Sequence, residues 1–283
     1  MYKEQSKKHK KKKSHTEQNM PNPVITLTTD FGLRDPYVAE MKAVILDISP
    51  NATIVDITHD IEKFNIRMGA FILASASSYF PKGTIHMVVV DPSVGTQRRS
   101  LLIQTKQSFY VGPDNGVLTL ATKSEDIQHI YEITNRKLML PKISSTFHGR
   151  DVFAPAAAYL ANKTPLAEFG PEINKIVTPS FAKITKRKEI LTGEVIYIDS
   201  FGNIITNFRK KELKLMKVKD VVNIKLKNTR LELKFCKAYA NAKRQKPLAL
   251  IGSHNFLEIS INQGNAAEVF KTKSGDEATL FPS

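Results

Sequence analysis

The chain has 283 residues, a formal net charge of +15, 41% hydrophobic residues and a single cysteine. A length of this order predicts about two domains with a substantial buried core. No apolar stretch approaches the roughly 18 residues of a membrane span, and no apolar signal-peptide core follows the basic N-terminus. We therefore expect a soluble cytoplasmic protein with no membrane partner.

The positive charge is concentrated in two segments. Residues 1–20 carry +5 and residues 182–247 carry +12, which leaves the rest of the chain near neutral. Basic segments can bind nucleic acid, but the run KKHKKKK lacks the interleaved aromatic residues on which bases stack. We therefore predict a disordered, solvated tail over 1–20, and nucleic acid is the less favoured alternative as a partner.

From residue 21 to about 180 the chain alternates strand-like and helix-like segments. The runs VITLTTD (24–30), TIVDIT (53–58) and TIHMVVVDP (84–92) are rich in β-branched residues and end in polar or turn residues. Each run predicts a strand. A strand that ends in a polar residue places that residue at the edge of the sheet, where α/β proteins bind their ligands.

Helical periodicity separates these strands. After the first strand, apolar residues recur every three to four positions, at Val38, Met41, Ile45 and Ile48. Asp35 and Pro36 before them suit the N-cap and the first helical position. Further helices are predicted over 65–79 and after Asp151. This order of elements predicts a mostly parallel sheet flanked by helices, forming an α/β domain over 21–180.

From about Glu189 the pattern changes to short alternating strands. In VNIKLKNTRLELKF, alternate apolar residues lie on one face, and Asn228-Thr229 form the predicted turn. LALIGSHNFLEISI continues the same alternation. The second half therefore predicts a smaller antiparallel, β-barrel-like domain over 189–283.

Two segments of the first domain carry the groups best suited to chemistry. Asp91 directly follows the buried third strand, Arg98 lies in the loop after it, and His148 lies in FHGRD. A carboxylate held by arginine stays ionised at neutral pH, and a histidine can orient or deprotonate a water molecule. In the alternative interpretation, Asp91 pairs with Arg98 or Arg99 only to fix the loop, and His148 is an ordinary turn residue.

Other loops offer weaker candidates. In TTDFG, Asp30 could bind hydroxyl groups, as in a ribose, or only shape the turn. In DSFGN, Asp199 and Asn203 could hold the ammonium and carboxylate of an amino acid while Phe201 stacks on a flat group. An isolated turn without a ligand is the alternative for this segment.

Metal and covalent chemistry find little support in the sequence. The seven histidines show no H-x-x-x-H spacing, the chain has one cysteine, and no G-x-S-x-G segment is present. We therefore expect no metal, no cofactor and no covalent intermediate.

Six segments, taken together and in order, carry a resemblance to a known family. TTDFGLRDPYV, VVVDPSVGTQRR, VGPDNG, FHGRDVFAPAAA, IDSFGNIITN and LEISINQGNAA resemble those of the S-adenosyl-L-methionine (SAM) hydroxide adenosyltransferases, or SAM hydrolases. The likeness covers about residues 24–270, and the family is related to the SAM-dependent fluorinase and chlorinase. It implies cleavage of SAM by water to adenosine and L-methionine, with SAM as substrate and no metal.

The resemblance also implies an assembly and residue roles. It implies a homotrimer whose sites lie between the α/β domain of one subunit and the β domain of the next. Asp91, Arg98 and His148 match the family's water-activating set, which the halide-using relatives lack. The positions that match substrate contacts are Asp30, Asp35, Phe64, Asp199, Phe201, Asn203 and Ser253.

Within that list, Asp30 and Asp35 match contacts to methionine or ribose, and Phe64 falls where the fluorinase has a stacking tryptophan. The remaining four match contacts to methionine and adenine. Two departures stand out: Ser93 replaces a glycine beside Asp91, and His254-Asn255 replace a turn of small residues. A halide-using SAM transferase and a non-catalytic SAM- or adenosine-binding module are the alternative functions.

Overall fold

A computed structural model of the chain describes residues 22–282. The lysine-rich tail predicted over 1–20 lies outside the described residues. Within 22–282, no helix is both long and apolar enough to cross a membrane.

The first half of the chain forms a six-stranded sheet. Its strands are β1 (Val24–Thr29), β2 (Thr53–Thr58), β3 (Ile85–Val89), β4 (Ser100–Thr105), β5 (Phe109–Pro113) and β6 (Ile127–Glu132). Their order is β2-β1-β3-β5-β4-β6. Neighbours from β2 to β5 run parallel, and β4 runs antiparallel to β5 and β6. The mostly parallel sheet predicted from the sequence is confirmed.

Helices cover both faces of this sheet. They are α1 (Tyr37–Ile48), α2 (Ile66–Ala76), the single turn α3 (Thr119–Thr122) and α4 (Ala154–Ala161), which continues from a π-helical turn at Gly149–Phe153. Apolar side chains of α1 and α4 pack on one face, and those of α2 and α3 on the other. Because both faces are covered, β3 is buried along its whole length.

The start of α1 corrects one prediction. The helix begins at Tyr37 and Pro36 is its N-cap, so the predicted capping role of Asp35 is wrong. Pro36 already adopts helical backbone angles and leaves Asp35 one position outside the helix end. The Asp35 side chain is exposed.

The second half forms an antiparallel sheet of eight strands. They are β7 (Thr185–Arg187), β8 (Ile190–Ile198), β9 (Ile204–Arg209), β10 (Val221–Leu226), β11 (Thr229–Lys234), β12 (Pro247–Ile251), β13 (Phe256–Ile261) and β14 (Glu277–Phe281). The order is β11-β10-β14-β8-β9-β13-β12, with β7 beside β8. A bridge between Phe235 and Ala249 joins the two ends. The predicted barrel-like domain is thereby confirmed as a nearly closed barrel.

Two short helices, α5 (Lys210–Leu215) and α6 (Ala266–Val269), accompany this barrel. The hairpin of β10 and β11 turns one residue earlier than predicted. Leu226 pairs with Thr229, so the turn consists of Lys227 and Asn228. Lys227 has a left-handed backbone, with φ of 51°.

The two halves pack against each other through apolar side chains. Phe71 on α2 meets Ile196, Ile205 and Phe256 of the barrel, and its ring stacks on Tyr197 with 4.6 Å between centroids. An ion pair of 2.9 Å between Arg67 and Glu194 crosses the same contact. The packing holds the barrel loops beside α2.

Candidate active site

The end of β3 carries a buried ion pair. Asp91 Oδ2 accepts from Arg98 Nε at 2.8 Å and lies 2.6 Å from Arg98 Nη2. The side chains are 4% and 7% exposed, respectively. Both guanidinium contacts fall on one carboxylate oxygen, so the other oxygen, Oδ1, keeps capacity to accept hydrogen bonds.

Three neighbours fix this pair. Ser93 Oγ donates to Asp91 Oδ1 at 3.2 Å, and Arg98 Nη1 donates to Ser100 Oγ at 3.0 Å. The Arg98 guanidinium also lies over the ring of Phe153, 5.3 Å from its centroid. Ser93, which departs from the glycine expected by resemblance, therefore holds the carboxylate directly.

His148 joins the pair through Arg98. Arg98 Nη2 lies 2.8 Å from His148 Nδ1. Because a guanidinium only donates hydrogen bonds, Nδ1 accepts, and a neutral ring then carries its proton on Nε2. Burial and the positive charge of Arg98 lower the pKa of His148 below its ordinary value of 6.5. His148 is thus neutral at pH 7, with Nε2–H as a donor.

A close approach at Gly95 brings the two segments together. Gly95 lies in the loop between Asp91 and Arg98 with φ of +79°, and a Cβ there would lie 2.2 Å from the backbone oxygen of Ser145. The loop therefore packs backbone to backbone on the segment before His148. Only glycine permits both the left-handed backbone and this contact.

Asp151 and Arg150 stabilise the segment that carries His148. Asp151 is fully buried, and its Oδ2 accepts from Ser144 N and Oγ, both at 2.8 Å. Arg150 donates to Asp151 Oδ1 at 2.7 Å and reaches Glu40 on α1 at 2.7 Å. The Arg150-Asp151 pair therefore has a structural role, in which Asp151 holds Ser144.

Arg99, the alternative partner of Asp91, pairs with Asp114 instead. Its Nε donates to Asp114 Oδ2 at 2.9 Å, and Asp114 Oδ1 accepts from Val177 N at 2.8 Å. This separate pair ties down the loop after β5 and leaves Arg98 alone on Asp91.

Asp30 lies at the end of β1 and organises a second loop. It is 4% exposed, and its Oδ2 accepts from the backbone N of Phe64 at 2.8 Å. The ammonium of Lys63 donates to the backbone oxygen of Asp30. Phe64 has φ of 65° and a side chain that is 67% exposed. A strained backbone that presents an exposed aromatic ring is typical of a binding position.

The DSFGN loop is organised by its own aspartate. Asp199 Oδ1 accepts from the backbone N of Phe201 and of Asn203, both at 2.9 Å, and Oδ2 accepts from Asn203 Nδ2 at 2.8 Å. Phe201 is 78% exposed. These residues line a cavity of about 610 Å³, which we call the loop cavity, together with Tyr239 and the turn at 261–264.

Ser253 lies in a second cavity of about 460 Å³, which we call the junction cavity because α2 forms one wall and barrel residues the other. Asp199 and Tyr239 line both cavities. Sequence reasoning missed Tyr239 and Glu258 in the junction cavity. A glutamate within the mostly apolar run FLEISI was the available signal for Glu258, since β13 is buried at every position.

The predicted residues thus fall into two groups. Arg98 contacts both Asp91 and His148, and Asp199, Phe201 and Asn203 share the loop cavity, whose lining contains none of the first three. Within 22–282, no group of three or more His, Cys, Asp or Glu side chains is placed to hold a metal ion.

Family models match both halves of the chain. The model of the SAM hydroxide adenosyltransferase N-terminal domain matches residues 25–170, and the model of the C-terminal domain matches residues 193–279. The fold and the ordered motifs agree with these two family models. The chain belongs to the SAM hydroxide adenosyltransferase family.

Individual relatives agree with this assignment. The chain is 40% identical to the (R)-S-adenosyl-L-methionine hydrolase of Methanocaldococcus jannaschii, over 91% of this chain and 95% of that protein. It is 27% identical to the fluorinase of an Actinoplanes species, over 92% and 97%. The crystal structure of a conserved Thermotoga maritima protein superposes with a TM-score of 0.80 at 39% identity, covering 91% of this chain and 99% of that one.

Proposed function

We propose that the protein hydrolyses SAM to adenosine and L-methionine. The observation that carries the proposal is that Arg98 contacts both Asp91 and His148 in a chain of this family. The Methanocaldococcus relative is named for the (R) configuration, and we assign the same sulfonium epimer as substrate here. We further propose a cytoplasmic location, because a single cysteine gives no structural reason for an oxidising compartment.

The tautomer of His148 determines the role of each of the three side chains. The lone pair of His148 Nδ1 accepts from Arg98, and Nε2 of the neutral ring carries a hydrogen. A neutral His148 therefore has no free nitrogen lone pair to accept a proton. It instead donates from Nε2 to the oxygen of the attacking water. Asp91 is the remaining base. Its Oδ1 accepts the water proton, while Arg98 holds Oδ2 and keeps the carboxylate ionised beforehand.

The reaction needs little further chemistry from the protein's side chains. The water oxygen bonds to the ribose 5′ carbon as the bond from that carbon to sulfur breaks, and the electron pair of that bond stays on sulfur. The sulfonium leaves as a neutral thioether, so no general acid is needed. Positioning of the water and exclusion of solvent supply the acceleration.

Substrate binding completes the proposal. Asp30 and Asp35 receive the ribose or methionine groups, and the exposed ring of Phe64 stacks beside them. From the barrel, the residues that contact adenine and methionine, as the resemblance implies, are Asp199, Phe201, Asn203 and Ser253. Asp199 also orders its own loop.

We propose that these halves meet between subunits of a homotrimer. The catalytic residues belong to the proposed domain 21–180 and the loop cavity to the proposed domain 189–283. Since the loop cavity of one chain contains none of its own catalytic trio, a neighbouring chain is the natural source of the other half. Such an interface also excludes water from the site.

The test is product analysis with both sulfonium epimers. Purified protein incubated with (R)-SAM is expected to release adenosine and methionine in equal amounts, and to act more slowly on the (S) epimer. Parallel incubations contain chloride or fluoride, because the fluorinase is a relative. A 5′-halo nucleoside would favour the halide-using transferase, and binding of SAM without any product would favour the binding module.

A further inference from the structure

His59 is a buried histidine that the proposed mechanism does not use. It directly follows β2, and its side chain is 2% exposed. His59 Nδ1 lies 2.8 Å from Thr29 Oγ1, and Nε2 lies 3.1 Å from Asp56 Oδ1. The other oxygen of Asp56 accepts from Lys42 Nζ at 2.6 Å. A row of four side chains thus runs from Lys42 on α1 to Thr29, the last residue of β1.

The order carboxylate, imidazole, hydroxyl is that of a hydrolytic triad, but burial excludes this role. In such enzymes the hydroxyl attacks the substrate. Thr29 is 0% exposed, and its Oγ1 also accepts from the backbone N of Phe31 at 3.2 Å. This hydroxyl therefore lies out of reach of a ligand. The row acts on the protein's own structure rather than on the substrate.

The charges along the row favour one direction for its hydrogen bonds. Burial alone would raise the pKa of Asp56, but its contacts with Lys42 and His59 lower it below the ordinary value of 3.8. Asp56 is therefore ionised at pH 7, and a carboxylate beside Nε2 favours the tautomer with hydrogen on Nε2. Nδ1 of that tautomer accepts from the Thr29 hydroxyl. Asp56 thus orients His59, and His59 holds Thr29.

Asp30 lies between two points that His59 holds. The His59 side chain contacts Thr29, and its backbone oxygen accepts from Gly32 N at 2.7 Å. Asp30 Oδ2 accepts from Phe64 N, whereas no residue within 22–282 donates a hydrogen bond to Oδ1. Oδ1 is thus the oxygen left for the substrate. Its direction depends on the backbone between Thr29 and Gly32.

We infer that His59 is a positioning residue for substrate binding, which holds Asp30 in place through the Thr29 hydroxyl. The inference rests on the proposed function and deepens it, because that proposal assigns Asp30 to the ribose or methionine groups. In this role His59 does not touch the substrate. Asp30 takes no part in bond breaking, so its displacement weakens substrate binding and leaves the chemical step unchanged.

Two amides at position 59 test the contact, because each replaces one nitrogen of the ring. Asn places its amide near Nδ1 and can still bond to Thr29, whereas Gln places its amide near Nε2 and reaches Asp56 instead. We expect His59→Gln to raise the KM for SAM at least about tenfold with kcat within about twofold of wild type. His59→Asn should keep KM within about threefold of wild type. Thr29→Val, which removes the hydroxyl at nearly constant size, should raise KM as His59→Gln does.

His129→Gln is the matched control and should change neither parameter. His129 also pairs with a carboxylate, that of Glu172 at 2.7 Å, but it lies exposed on β6. An unchanged KM in His59→Gln, or an equal rise in His59→Asn and His59→Gln, would overturn the inference. A fall in kcat at constant KM would overturn it as well, because a smaller folded fraction gives that result.

Wild-type behaviour separates the two proposals. Turnover of SAM by wild type, together with a normal KM in His59→Gln, contradicts only the role of His59. Wild-type protein that neither cleaves nor binds SAM contradicts the proposed function and the inference that rests on it. Protein that binds SAM without cleaving it contradicts hydrolysis alone, and calorimetric Kd values of the same variants then test His59.

Discussion

Among the single residues of the site, the Arg98 guanidinium sets the roles of its two neighbours. Arg98 donates both to Asp91 and to His148, at 2.8 Å in each case. This sharing leaves Asp91 as the base and makes His148 a hydrogen-bond donor. Each assignment can be tested by a substitution that preserves shape.

Replacement of Asp91 by Asn removes the proposed proton acceptor but keeps the size of the side chain. We expect turnover of SAM to fall at least about 100-fold, the usual scale of general base catalysis, with little change in SAM affinity. Steady-state kinetics and calorimetry measure the two effects. Asp126→Asn, at an exposed aspartate paired with Lys106, is the control and should match wild type. Undiminished turnover in Asp91→Asn would remove Asp91 from the mechanism.

Glutamine at position 148 distinguishes a donor from a base. Its amide oxygen can accept from Arg98 and its NH₂ can donate to water, as the neutral imidazole does, but it cannot take a proton. We expect His148→Gln to turn over SAM about tenfold faster than His148→Ala. Equal inactivity of the two variants would show that His148 itself must accept the proton.

The pH dependence follows from the lowered pKa of His148. The neutral ring is required, so activity is present above its folded pKa and is lost as pH falls through that value. Because this pKa lies below 6.5, kcat/KM should be flat through pH 7 and decline only in the more acidic range. The pH profile of kcat/KM checks this, and an acidic limb centred above 6.5 would contradict the assigned environment of His148.

At the scale of elements, Gly95 sets the distance between the Asp91 loop and the His148 segment. Gly95→Ala adds a Cβ that meets the backbone of Ser145. Gly83→Ala is the matched control, because Gly83 has φ of +85° but no neighbour within 4 Å of the added atom. Backbone strain should cost each variant about 1 kcal/mol of stability. Gly95→Ala should lose more than Gly83→Ala, because its Cβ also meets the Ser145 backbone. Only Gly95→Ala should also lose most of its activity. Turnover of SAM is measured at a temperature where both variants remain folded. Equal activities of the two variants would show that the contact between Gly95 and Ser145 does not position the site.

Asp151 is expected to stabilise the His148 segment in a pH-dependent way. Burial alone would raise the pKa of Asp151, but its hydrogen bonds to Arg150 and Ser144 lower it below the ordinary value of 3.8. The contribution is therefore present above that value and is lost as pH falls through the lower folded pKa. Asp151→Asn should cost about 3 kcal/mol at pH 7 and less near pH 3, by denaturant unfolding. A cost independent of pH would argue against a charged Asp151.

Several elements could be predicted, because strands and helices follow from local patterns, but β4, β5 and β6 were not predicted. The residues of β1 and β2 match the predicted runs within one position, and α2 begins after the Asn65 cap as the sequence indicates. Two predictions were wrong, the capping role of Asp35 and the position of the turn at Lys227. Both depend on exact backbone geometry. What the sequence left open depends on tertiary contact: Asp91 had two candidate arginines, and only the fold sends Arg99 to Asp114.

At the scale of the whole molecule, the proposed trimer predicts complementation between variants. Asp91→Asn impairs the α/β half of a site and Asn203→Ala the barrel half. If each site combines halves of two subunits, co-expressed variants assemble some sites with both halves intact. Random mixing should restore about a quarter of wild-type activity. A site within one chain would show no recovery above the two variants alone.

Attack by water at the 5′ carbon is tested by incubation of the protein with (R)-SAM in oxygen-18 water, followed by mass spectrometry of the nucleosides. We expect adenosine that carries the heavy oxygen at its 5′ position, with an equal amount of methionine, because water attacks that carbon. Adenosine without the label, or bound SAM that yields no adenosine, would contradict it.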